Sequence, residues 1–230
     1  MSLLFETVHV LRVELKGSKP PIWRKLAVPS DMTLGELHDT IQIAMGWEDD
    51  HLHQFRLRIE KKKGSRQQRL KQFREMVEEQ SRRIAQGGDV LGGGHFFRMR
   101  GERIFASRFN LMGQPMDLEG EDEDAVTLAE VCPKVKDKLI YEYDFGDKWR
   151  HTIAVQKIVD REPGKTYPRC LGGKMACPPE DCGGLWGYYG MLDAFDDPTN
   201  EHREEILEWL GDDFDPEAFD PDEVNRQLDA

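Results

Sequence analysis

The chain has 230 residues, 38% hydrophobic and 33% charged, with five tryptophans, so it carries enough apolar material for a substantial core. Its formal net charge of −12 argues against a general nucleic-acid-binding surface, and no apolar run approaches the roughly 20 residues of a membrane-spanning helix. The start, MSLLFETVHV, has neither a basic leader nor a long apolar stretch; the sequence therefore reads as cytoplasmic, with Cys132, Cys170, Cys177 and Cys182 as reduced thiols or metal ligands.

Residues 7–15, TVHVLRVEL, place Leu11, Val13 and Leu15 on one face of a strand. KGSKPP turns the chain, and IWRKLAVP returns as a hairpin partner. Thr33 and Glu36 have capping-box spacing, and Leu34, Leu37, Ile41, Ala44 and Met45 recur with helical period up to Gly46, which predicts a helix. In HLHQFRLRIE, Phe55, Leu57 and Ile59 alternate with Arg56 and Arg58, the pattern of a strand with one buried face. A strand–strand–helix–strand opening is satisfied by a helix lying across a mixed sheet, an α+β fold of β-grasp-like or roll arrangement.

Residues 61–94 differ in texture. KKKGSRQQRLKQFREMVEEQSRRIAQGG bears only a narrow stripe of Leu70, Phe73, Val77 and Ile84, which predicts a basic, partly exposed helical insertion inside a single domain spanning 1–230. The following GDVLGGGH lacks Gly-Lys-Ser/Thr and reads as a linker, not a phosphate-binding loop. Charge is segregated accordingly. Arg56 to Arg83 holds eleven Lys or Arg against four Asp or Glu, whereas Asp193 to Ala230 holds fifteen Asp or Glu against two Arg. The two stretches read as separate solvated faces.

Further along, residues 95–109 read as a strand pair, and Thr127 with Glu130 opens a short helix through a second capping box. KLIYEYDFGDKWRHTIAVQKI reads as a hairpin turning at GD, with Leu139, Tyr141, Tyr143 and Phe145 on one face and Trp149, His151, Ile153 and Val155 on the return. A helix is predicted over 201–210, and each Asp-Pro in FDPEAFDPDEVNRQL can start a helical turn.

Several residues could carry chemistry. Cys170-x6-Cys177-x4-Cys182 offers three thiolates, and His151 is the fourth ligand a structural zinc would need, with His51 or His53 as substitutes. The competing reading is that these are small, half-buried thiols in a tight loop. Cys182 before GGLWGYYGML, paired with His151, has the elements of a nucleophile and base. Asp144, Asp147, Glu180 and Asp181 lie at turns, where acids commonly cap backbone N–H groups or bind cations. His51 and His53 are two apart and would share a face in a strand, a geometry that suits a metal; the commoner outcome is one packed histidine and one exposed. Trp23-Arg24, Trp149-Arg150 and Phe97-Arg98 could stack nucleic-acid bases, although singly they are ordinary sheet residues and the net charge opposes that role.

Taken together, PPIWRKLAVPSDMTLGELHDTIQIAMGWEDDHLHQF, YEYDFGDKWRHTI, YPRCLGGKMACPPEDCGGLWGY and FDPEAFDPDEVNRQL resemble the plasmid Ri open-reading-frame-three family, also known as the insertion-element passenger protein TnpR. The resemblance runs in order along nearly the whole chain, and residues 61–108 depart from the compact family pattern. It implies a single α+β domain associated with plasmids and mobile elements, and it brings no catalytic residues with it. No serine-recombinase-like catalytic segment accompanies the TnpR label.

The sequence therefore points to a non-enzymatic binding or accessory protein whose ligand or partner surface combines His51, His53, Asp144, Asp147, Trp149, Glu180 and Asp181. Its occupant is a protein, a nucleic acid or a small ligand, and not a membrane. The alternatives are a metal-dependent or cysteine-based enzyme acting on nucleic acid or protein, and a structural zinc protein using Cys170, Cys177, Cys182 and His151.

Overall fold

A computed structural model describes residues 6–58, 102–108, 111, 120–211 and 214–230. The basic insertion expected over 61–94, Ile59 of the third strand and residues 95–101 of the expected strand pair lie outside the described residues.

In chain order the elements are β1 (Thr7–Leu15), β2 (Trp23–Pro29), α1 (Leu34–Met45), β3 (His53–Arg58), β4 (Glu102–Ala106), β5 (Glu121–Asp122), a 3-10 turn (Glu123–Ala125) and α2 (Leu128–Val131). There follow β6 (Lys138–Tyr143), β7 (Trp149–Asp160), β8 (Arg169–Lys174), α3 (Gly184–Asp196), α4 (Arg203–Leu210) and α5 (Pro221–Leu228). The strands form one eight-stranded sheet in the order β5-β4-β3-β6-β7-β1-β2-β8. Among the described residues only the β4–β5 pair is parallel. The protein is therefore an α+β fold built on a mixed sheet.

The sheet order explains the burial pattern. β3 does not lie beside the β1–β2 hairpin, because the β6–β7 hairpin stands between them. β7 is 12 residues long and pairs with β6 on one side and β1 on the other. Leu11, Val13, Leu139, Tyr141, Tyr143 and Ile153 on these central strands are all fully buried.

Helix α1 covers this core. Its capping box is complete: Thr33 Oγ1 accepts from Glu36 N–H at 3.1 Å, and Glu36 Oε2 accepts from Thr33 N–H at 2.8 Å. Gly46 ends the helix with φ 86°, donating its N–H to Gln42 O at 2.8 Å. Leu34, Leu37, Ile41 and Met45 face the core, but so do His38 and Gln42, two polar residues one turn apart. Buried polar groups need partners; those of the His38 ring and the Gln42 amide N–H lie in the candidate site.

Candidate metal centre

His38 reaches the site from α1, Asp49 from the α1–β3 loop, His53 from the first position of β3, and Glu123 from the 3-10 turn. His38 Nε2 lies 2.8 Å from Asp49 Oδ1, and His38 Nδ1 lies 2.7 Å from Tyr141 Oη. Gln42 Nε2 donates to the same phenol oxygen at 2.7 Å. The His53 ring stacks on the His38 ring with centroids 3.5 Å apart and planes 10° from parallel. Its Nε2 is held by both carboxylate oxygens of Glu123, at 3.0 and 2.9 Å. One ligand atom from each of His38, Asp49 and His53 falls within 4.8 Å of the others.

This cluster lines a cleft of about 430 Å³, with Asp39, Asp50 and His51 at its walls. Burial, reinforced by the neighbouring His53, pushes the His38 pKa down to about 3. The ring is thus a neutral base at pH 7, the form in which histidine binds a cation. Two further clefts of about 520 and 530 Å³, beside Phe219 and beside Tyr167, hold no such cluster among the described residues.

In a second group of three potential ligands, His51, Asp144 and Asp181, the ligand atoms likewise lie within 4.8 Å of one another. It joins the three segments that the sequence singled out. Asp144 N–H donates to Leu52 O at 2.9 Å, Trp47 Nε1–H to Pro178 O at 2.9 Å, and Gly183 N–H to Asp147 Oδ2 at 3.0 Å. Glu180 accepts a short hydrogen bond from Tyr143 Oη and another from Glu48 N–H at 3.0 Å. Burial and the Glu180 contact raise the Tyr143 pKa, so its phenol stays protonated and donates. The double glycine of CPPEDCGG follows from the same packing, since a Cβ on Gly184 would stand 2.6 Å from Asp147 O.

The aspartates of both clusters share a backbone peculiarity. Among the described residues six non-glycines have positive φ, and three of them are Asp49 at 63°, Asp144 at 53° and Asp181 at 57°. Such conformations concentrate where surrounding structure imposes them, often at functional sites.

Of the residues expected at a ligand surface, His51, Asp144, Asp147, Glu180 and Asp181 do converge, and His53 belongs to the adjoining cluster. Trp149 does not reach that surface: its ring is 1% exposed and stacks on Trp47 at 5.9 Å, because its strand position faces the core. The alternative cysteine–histidine set is not brought together. No group of three ligands within 4.8 Å includes a cysteine among the described residues. His151 is fully buried at the sheet centre between Trp47 and Tyr141, where its ring nitrogens find no side-chain partner. Burial pushes the Cys132, Cys177 and Cys182 thiols up to about 12 and raises Cys170 as well. At neutral pH these are protonated thiols, unsuited to act as nucleophiles. Cys170 is one β8 residue packed against the core cluster, in line with the packed-thiol reading.

His38, Asp49, Glu123 and Tyr141 escaped the sequence reading of the site. His38 carried one usable signal, as a polar residue on the apolar stripe of a strongly predicted helix. Glu123 and Asp49 carried none, because both lie in acidic loops where neighbouring carboxylates look alike.

The comparisons with known proteins match this fold along its length. The uncharacterised protein y4hQ of Sinorhizobium fredii (strain NBRC 101917 / NGR234) is 29% identical over 220 residues, which span 95% of this chain and 89% of that protein. A crystal structure of a protein of unknown function, MM3350 from Methanosarcina mazei Go1, is similar with a TM-score of 0.71 and 31% identity, covering 96% of this chain and 97% of the other. The family model of the plasmid pRiA4b ORF-3-like proteins matches residues 7–223, and the chain belongs to that family.

Proposed function

We propose that the protein is a metal-dependent binding protein whose cleft holds a divalent transition metal on His38, Asp49 and His53. The carrying observation is the convergence of two imidazoles and one carboxylate within 4.8 Å at the wall of a cleft. Two histidines and a carboxylate suit zinc or iron once the stacked His38 and His53 rings tilt so that both planes meet at the ion, and three protein ligands leave coordination positions open to the cleft. Tyr141 on His38 and Glu123 on His53 supply the outer oxygen contacts that orient ligand imidazoles. The open positions would take an oxygen of a small ligand, the role of a binding or accessory protein in one α+β domain interrupted by the basic stretch. The four free thiols fit a cytoplasmic location.

The test is zinc binding by the full-length, metal-stripped protein, read by a competing chromophoric chelator. His38→Gln is expected to weaken the tightest zinc site by at least about 100-fold, and Glu123→Gln by about 10-fold or more through loss of ring orientation. Zinc affinity equal in wild type and His38→Gln would overturn the reading.

A further inference from the structure

We infer that His51, Asp144 and Asp181 form a second divalent-cation site, separate from the His38–Asp49–His53 cluster and harder in its ligand chemistry. One imidazole and two carboxylates favour an oxygen-seeking ion such as manganese, whereas two imidazoles and one carboxylate favour zinc.

Four observations support it. First, the three ligand atoms lie within 4.8 Å of one another although they come from three distant segments, the β3 approach, the β6–β7 turn and the loop before α3. Second, His51 Nε2 is shielded from solvent yet makes no hydrogen bond, with Asp181 Oδ1 at 3.3 Å. The nitrogen thus faces a carboxylate without hydrogen-bond geometry, on a side chain 26% exposed, and a cation between the two would complete both groups. Third, Asp144 is only 7% exposed; one oxygen accepts from Gly146 N–H at 2.8 Å, and no Lys or Arg among the described residues pairs with either Asp144 or Asp181. Two carboxylates brought together without a cation repel, and a bound dication reverses the sign. Fourth, the segments are tied to one another independently of the ligands, through Asp147 to Gly183, Tyr143 to Glu180 and Leu52 to Asp144. The ligand positions are therefore set before any ion arrives, which reduces the ordering cost of binding.

The experiment is a manganese titration of the full-length, metal-stripped protein, with free ion counted by electron paramagnetic resonance. Asp181→Asn is the main variant, since the side chain is exposed and nearly isosteric with its replacement; His51→Gln is the second. Each is expected to remove one manganese equivalent, or weaken it at least about 10-fold; in Asp181→Asn, whose residue lies outside the zinc cleft, zinc binding at the other cluster and the thermal midpoint of the metal-free protein stay as in wild type. His38→Gln is expected to keep that manganese equivalent. Manganese binding by Asp181→Asn and His51→Gln identical to wild type would overturn the site, as would a wild type whose only manganese equivalent disappears in His38→Gln. Failure of the zinc reading looks different: His38→Gln would then bind zinc as wild type does, while Asp181→Asn still lost its manganese.

Discussion

Arg24 brings a guanidinium into the core at 2% exposure. It donates from Nε to Ala44 O at 2.8 Å, and from Nη1 to Trp23 O, Lys174 O and Met175 O at 3.0, 3.2 and 3.0 Å. It also stacks on the Phe219 ring at 4.0 Å. One side chain thus joins the end of α1, strand β2, the end of β8 and the segment before α5. The sequence offered Trp23-Arg24 either as a pair that could stack bases or as ordinary sheet residues; the structure uses the arginine as an internal strut, because its strand position points inward. Arg24→Met leaves these carbonyls without their donor and is expected to destabilise the fold by about 3 kcal/mol. Arg24→Lys keeps the charge but cannot span the same acceptors, and should also lose stability. Urea unfolding measures both, and a loss below about 0.5 kcal/mol for Arg24→Met would refute the strut.

At the element scale, β8 is one of the two edge strands of the sheet and needs cover on its outer side. Helix α5 supplies it. Asn225 Oδ1 accepts from Cys170 N–H at 2.8 Å, and Asn225 Nδ2 donates to Cys170 O at 3.0 Å, so a side-chain amide occupies the place of a neighbouring strand. Asp220 caps this helix by accepting from Asp222 N–H at 2.8 Å, Pro221 opens it, and Val224 is buried beneath it. Asn225→Ala is expected to cost about 1–2 kcal/mol and to speed amide exchange in β8 more than in β1. Unchanged protection at Cys170 would show that the clasp does not hold the edge. The Asp-Pro start of α5 was legible in the sequence because capping is local. The Asn225 clasp was not, since it exists only where β8 passes alongside.

Over the whole molecule, acid stability records how much titratable surface the fold has hidden. His9 is 1% exposed, with Nδ1 2.8 Å from Ser30 Oγ and Nε2 3.0 Å from Cys132 O, and burial lowers its pKa. Burial, aided by the charge of Arg24, pushes His151 down to about 3, with the backbone of Trp149 and Tyr141 opposing in part. In the unfolded chain both rings titrate near 6.5. The unfolded state therefore takes up protons first as pH falls, and stability is lost from about pH 6.5 downward, by about 1.4 kcal/mol per pH unit for each ring kept neutral. Above pH 6.5 neither contributes a slope. His151→Phe is expected to remove one proton's worth of this dependence between pH 6 and 4, measured by unfolding in the presence of a chelator. Parallel curves for the two proteins would mean that His151 is not held neutral.

The amino-acid sequence by itself determined the α+β class, the capped helix α1, the two hairpins and the loops HLHQF, DFGD and CPPEDCGG as places to look. These rest on periodicity, capping and turn chemistry, which act between residues a few positions apart. Tertiary structure alone decided that the β6–β7 hairpin separates β3 from β1, and that choice seats Tyr141 beneath His38 and Tyr143 beside Glu180. It also directed His151 and the cysteines into packing while gathering histidines and aspartates from separate loops. Strand order decides which faces meet, and side chains a hundred residues apart become ligands or core only once those faces are assigned.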